Sequence, residues 1–124
     1  MAQSLNKSVE FSTTGVSYLN IAGGTVGKFL LGDQAIEFYS DRNVEDYIQI
    51  PWKNIDKIGA NVSGKKISRH FEIYTDSGKF LFASKDSGKI LKIARDHIGN
   101  EKVVKLPTLL QTIGQKFSNL FAKK

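Results

Sequence analysis

Glycine and lysine stand side by side at Gly64-Lys65, Gly78-Lys79 and Gly88-Lys89, the pairing by which phosphate loops wrap backbone N–H groups and an ammonium around a polyphosphate. The reading fails at Gly88-Lys89. Ala83 stands where the loop needs its first glycine, and Ile90 stands where a magnesium-ligating Ser or Thr belongs. Gly23-Gly24-Thr25-Val26-Gly27 lacks dinucleotide spacing and precedes a strand pattern rather than a helix. His70 and His97 have no partners at metal-ligand spacing, and metal sites gather three or four donors. His97 falls near a helix C-terminus, where an imidazolium suits the dipole. Asp41, Glu45 and Asp46, with Asp33 and Glu37 near them in sequence, could do paired-carboxylate chemistry only by converging in a cleft. A solvated acidic loop is the simpler reading. No catalytic residue, cofactor site or metal site is therefore assigned.

Binding chemistry has better candidates. Lys85, Lys89, Lys92 and, slightly rotated, Arg95 gather on one helical face opposite Ile90, Ile93 and Ala94, so they form either an anion-facing stripe or the wet side of a lid helix. Arg42 adds a cation in the loop SDRNVED. After Pro107, the residues Leu109, Leu110, Ile113, Phe117, Leu120 and Phe121 recur at helical spacing, and Lys116, Lys123 and Lys124 supply a basic tail. Such a helix packs on its own domain, docks on a partner or second copy, or lies in a membrane interface.

These residues need a scaffold, and Lys79 to Ile98 organises it. Phe80, Leu81 and Phe82 read as a strand, Ser84 or Asp86 as a cap, and Asp86 to Ile98 as an amphipathic helix stopped by Gly99-Asn100. Upstream, residues 1 to 7 read as a flexible lead. Alternation from Val9, punctuated by Gly15, gives two β runs; Thr25 to Leu31 and Ala35 to Tyr39 flank the Gly32-Asp33 turn. YIQIPW places Ile48, Ile50 and Trp52 on one face, with Pro51 marking a strand end or edge. Ile55 to Val62 continues into a further strand. Arg69 to Thr75 and Lys79 to Ser84 flank Asp76-Ser77-Gly78, a hairpin whose glycine takes the left-handed position. EKVVKL reads as a linker to the helix after Pro107.

Composition sets bounds. A chain of 124 residues suits one domain with a real core. The absence of cysteine removes disulfides, thiolate metal sites and a cysteine nucleophile, and suits a reducing cytoplasm. No run approaches the ~20 apolar residues of a membrane span, so membrane contact would be peripheral. The net charge of +6 is lopsided: residues 1–62 hold 5 Lys/Arg against 7 Asp/Glu, and residues 63–124 hold 13 against 5. An anionic partner for the second half follows.

About seven short strands followed by a covering helix is the order of a pleckstrin-homology-like or GRAM-like antiparallel barrel, an α+β but mainly β fold. Residues 1–100 would form it, and 101–124 the linker and terminal amphipathic helix. YIQIPW, Gly27-Lys28, Gly32-Asp33, Glu37-Phe38-Tyr39 with Asp41-Arg42-Asn43-Val44, Phe82-Ala83-Ser84-Lys85-Asp86 and the opening Ser4-Leu5-Asn6 also resemble the ManO-type family. These are small proteins encoded beside mannose-class sugar phosphotransferase transporters in Gram-positive bacteria. The resemblance implies a cytoplasmic accessory or regulatory protein without enzymatic activity, with transporter subunits or regulators as partners, and it carries over no catalytic residues. The alternative is a nucleic-acid-binding regulator of sugar-uptake genes, for which the basic half and the aromatics could supply phosphate contacts and stacking. No helix-turn-helix or RNA-binding aromatic motif accompanies them.

Overall fold

The computed structural model describes residues 3–20, 23–43 and 45–106. Eight strands form one sheet in the order β4-β3-β2-β1-β7-β6-β5-β8. The first four, β1 (Val9–Asn20), β2 (Gly23–Gly32), β3 (Ala35–Ser40) and β4 (Tyr47–Pro51), are an antiparallel meander. A second meander follows: β5 (Ile55–Ser63), β6 (Lys66–Thr75) and β7 (Gly78–Ala83). Pairing of Val16 with Ala83 and Ser17 with Phe82 joins β1 to β7 and hence the two meanders. The hydrogen-bonded ladder does not close on itself, since β4 and β8 (Val103–Leu106) are its edges. Pro51, which has no N–H to give, ends the β4 edge, as its chemistry requires.

Alternation fixes the core. Phe29, Leu31, Ile36, Phe38, Ile58, Phe71, Ile73 and Phe82 point inward and are almost fully buried. Phe29 meets Phe38 and Phe82 edge-on, with ring centroids 5.1 and 5.2 Å away, a geometry favoured by the ring quadrupole. The helix α1 (Ser87–Ile98) adds Ile90, Leu91 and Ala94 to this core. Leu91, unread in the sequence, is buried, whereas Ile93 sits at the margin, half-buried. At the helix start the Ser84 hydroxyl accepts the Asp86 N–H and donates to the Thr14 carbonyl, tying α1 to β1. The Asp86 side chain does not cap; it accepts the Thr13 hydroxyl instead.

Three expectations change. Gly15 does not interrupt the chain: β1 runs through it, because its missing side chain admits Phe29. The stretch EKVVKL is not a linker but a 3₁₀ turn (Asn100–Lys102) and β8, which pairs parallel to β5. Residues 3–8 are not a free lead. They are pinned to the sheet by side chains described below. The hairpin lies where the sequence places it, but its loop is Asp76-Ser77 alone: Gly78, at φ 136°, opens β7 opposite Thr75.

Candidate interaction surface

Lys89, Lys92 and Arg95 of α1 are exposed on the side of the helix opposite Ile90 and Ala94, and Lys85, in the turn just before the helix, is exposed as well. Among the described residues Lys85, Lys92 and Arg95 make no ion pair. Lys89 instead lies over the Phe11 ring, 4.7 Å from its centroid, so its ammonium stays at the surface while its stem covers apolar area. Arg42 is exposed between β3 and β4, its N–H bonded to the Ser40 hydroxyl. The neighbouring Asp41 N–H reaches the Val26 carbonyl. Val26 pairs with Val16 and Val16 with Ala83, so Arg42 and Lys85 lie at the same end of the sheet. They are not on one element. Exposed apolar residues join them there: Val26, at 56% exposure, and Ile67, at 39%. The apolar stripe Leu109, Leu110, Ile113, Phe117, Leu120 and Phe121 and the tail Lys116, Lys123 and Lys124 lie outside the described residues.

A second cluster was not legible as a site. Ile36 and Phe38 face the core, so Glu37 between them projects from the opposite face of β3. It is nonetheless 0% exposed. The N-terminal segment covers it: the Ser4 hydroxyl, the Leu5 N–H, the Asn6 amide and the Gln49 amide all donate to its carboxylate, at 2.6, 2.7, 3.2 and 3.1 Å. Gln49 also donates to the Gln3 carbonyl and the Tyr39 hydroxyl. Glu37 is thus no member of a solvated acidic loop. Burial pushes the Tyr39 phenol up, and the Glu37 charge adds to the shift.

The clamp continues at the next turn. The Asn6 amide oxygen accepts the Gln34 and Ala35 N–H groups, and Asp33 accepts those of Lys7 and Ser8. The Ser8 N–H, with the Gln34 side chain, pulls the Asp33 carboxyl down to about 2. Gly32 lets the segment pass, since a Cβ there would lie 2.3 Å from the Ser8 carbonyl oxygen. Ser4, Asn6, Gly32, Asp33, Glu37, Tyr39 and Gln49, scattered through the short motifs of the sequence, thereby meet in one place.

Beside the clamp is a cleft of about 510 Å³ between Leu5, Gln34, Trp52, Lys53, His97 and Lys102. The Trp52 indole N–H donates to the Gly32 carbonyl at 2.8 Å. His97 lies flat on Trp52, with ring centroids 4.7 Å apart, and reaches Glu10 at 2.8 Å. This histidine is thus a structural tie between α1 and β1. His70 lies beside Tyr18, at 5.7 Å between rings. On β6, Tyr74 donates to Glu72, and that bond pushes its phenol up to about 12, which keeps the hydroxyl protonated rather than nucleophilic. No group of three or more potential metal ligands occurs among the described residues, and none of their helices is long and apolar enough to cross a membrane.

Two solved structures are similar to the chain. The C-terminal domain of an unknown protein from Leishmania infantum superposes with a TM-score of 0.55 at 12% identity, covering 70% of this chain and 84% of that one. The hSac2 domain from human phosphoinositide phosphatase Sac2 gives a TM-score of 0.49 at 13% identity, covering 82% and 77%. The first likeness shows fold alone. No curated protein matches the chain by sequence. A family model described as a domain of unknown function, DUF956, matches residues 1–117, and with nearly the whole length covered the chain belongs to that family.

Proposed function

We propose that this protein is a non-enzymatic accessory or regulatory module that docks beside a mannose-class sugar phosphotransferase transporter, on its subunits or regulators or on the inner membrane surface around them. The fold is read here as a pleckstrin-homology-like or GRAM-like barrel working in the cytoplasm. The observation that carries the docking reading is the α1 face: Lys85, Lys92 and Arg95 are exposed without an ion pair among the described residues. Unpaired cations on a helix and the turn that leads into it give an anionic surface a field to meet without first breaking intramolecular pairs. Arg42, Val26 and Ile67 at the adjoining sheet end add charge and apolar contact. The transporter itself is suggested by the ManO-type resemblance alone, and the stripe after Pro107 would serve as an apolar anchor.

Full-length protein is to be co-purified with transporter subunits, as wild type and as the charge reversal Lys85→Glu/Lys92→Glu/Arg95→Glu, which spares Lys89 and its contact with Phe11. Recovery with wild type and its loss with the variant is expected. Recovery with neither, in both fed and starved cells, would overturn the transporter reading, and equal recovery would remove the helix face from it. Flotation of both proteins on vesicles with and without anionic lipid separates lipid contact from protein contact.

A further inference from the structure

The strand β8 differs from every other strand of the sheet. It is four residues long, it pairs parallel where the other ladders are antiparallel, and among the described residues it alone contains no buried position. Its side chains hold β5 from two faces. Val103, opposite Ile58, packs against the core, while Leu106 leans over Gly59 on the other face. If Gly59 carried a Cβ, its three nearest atoms would all belong to Leu106, at 2.6 to 3.1 Å. The residue under Leu106 therefore leaves a recess shaped for that leucine. Upstream, α1 ends at Ile98 and is capped by Gly99, so β8 belongs to a separate element that touches the helix only from the side.

We propose that the β5 edge from Ile58 to Asn61 is a strand-docking site, that β8 is its resident occupant, and that an extended segment of a protein partner replaces it. The partner segment carries a branched apolar residue and a leucine three positions on, the pattern of Val103 and Leu106 that already fits. The ligand is a peptide because a strand edge offers backbone N–H and C=O groups in register: the ladder supplies affinity and the side-chain recesses supply selectivity. The resident strand sets a threshold, since a tethered segment competes at an effective concentration on the order of millimolar. This surface is separate from the cationic face of α1, and it stands whether or not that face meets a transporter.

The test uses the full-length chain and a fluorescent peptide with the sequence of residues 101–106. Three proteins are compared by anisotropy: wild type, Val103→Asp/Leu106→Asp to release β8, and the released chain with Gly59→Val added. The peptide is expected to bind the released chain at least ~10-fold more tightly than wild type, with Gly59→Val abolishing the gain because it fills the leucine recess. Equal binding to all three, or none to the released chain, overturns the proposal. So does a wild-type dimer held by exchanged β8 strands that the peptide cannot dissolve. Should the variants unfold, amide exchange in wild type decides: β8 amides opening well before those of β6 support the proposal, and opening together with them defeats it.

Discussion

Two segments are attached near opposite edges of this sheet, and they are held by different chemistry. Residues 3–8 run over β3 and β4 and are fixed by side chains: one buried carboxylate receives donors from Ser4, Leu5, Asn6 and Gln49, and Asp33 receives two more. The strand β8 runs along β5 and is fixed by its backbone register and the half-buried side chains of Val103, Val104 and Leu106. The first attachment is specific, because Glu37 is 0% exposed and each donor it loses leaves a charge less solvated. The second is less specific, because any extended chain offers the same ladder and only the Val103 and Leu106 positions select among them. An attachment matched donor by donor locks. One made of backbone and a leucine exchanges.

The sharpest way to break this contrast is to truncate both anchors. Charge-assisted hydrogen bonds are worth about 1.5–3 kcal/mol apiece, but the freed segment regains water, so Glu37→Ala is expected to cost about 3 kcal/mol rather than their sum. Leu106→Ala, at a half-buried edge position, should cost about 1 kcal/mol. Urea midpoints check both values, and equal losses would mean that β8 is as firmly locked as the N-terminal segment. A paired glycine experiment sharpens the same point. A Cβ on Gly15 would meet the Phe29 ring at 2.2 Å and the Ala83 carbonyl oxygen at 2.5 Å, neither of which can swing away. A Cβ on Gly59 would meet only the end of Leu106 among its nearest atoms. Gly15→Ala should therefore destabilise by about 3 kcal/mol and Gly59→Ala by less than about 1 kcal/mol, the latter with faster amide exchange confined to β8 and β5.

The same contrast explains which parts were legible beforehand. Local signals sufficed where the structure answers to local physics: the Asp76-Ser77-Gly78 hairpin, the α1 stripe and the Pro51 edge are set by residues within a few positions of one another. Glu37 was not legible, because a charge between Ile36 and Phe38 alternates as an outward, wetted residue should. Its burial depends on Ser4 and Asn6, about thirty residues earlier, arriving on that face. The segment 3–7 carries no periodicity, since its role is to exchange hydrogen bonds rather than to bury an apolar side. EKVVKL was too short to show alternation, and its partner Ile58–Asn61 lies far upstream. Gly15 read as a break because sequence shows a missing side chain but not the Phe29 ring that occupies its place. Of the cationic candidates, the grouping of Lys85, Lys89, Lys92 and Arg95 followed from helical spacing alone. The placement of Arg42 near Lys85 required the strand order.

The smallest effect expected concerns Asp33, and its sign follows from the N–H groups it accepts. Its carboxyl ionises at about 2 in the folded chain, against an ordinary value of 3.8, because the backbone N–H of Ser8 and the Gln34 side chain favour the anion. A group whose folded pKa is depressed stabilises the fold above its unfolded value and loses that contribution as pH falls through the folded one. Wild type should therefore exceed Asp33→Asn in stability by a constant margin above about pH 5, and the margin should shrink progressively as pH falls through 3.8 toward about 2. Leu106→Ala should show no such closing, since β8 is held by groups that do not titrate there. Urea midpoints of the three proteins at half-unit steps across that window measure the difference. A margin that persists undiminished at pH 2 would mean that Asp33 acts through its shape rather than its charge, and that the N-terminal clamp rests on Glu37 and Asn6 alone.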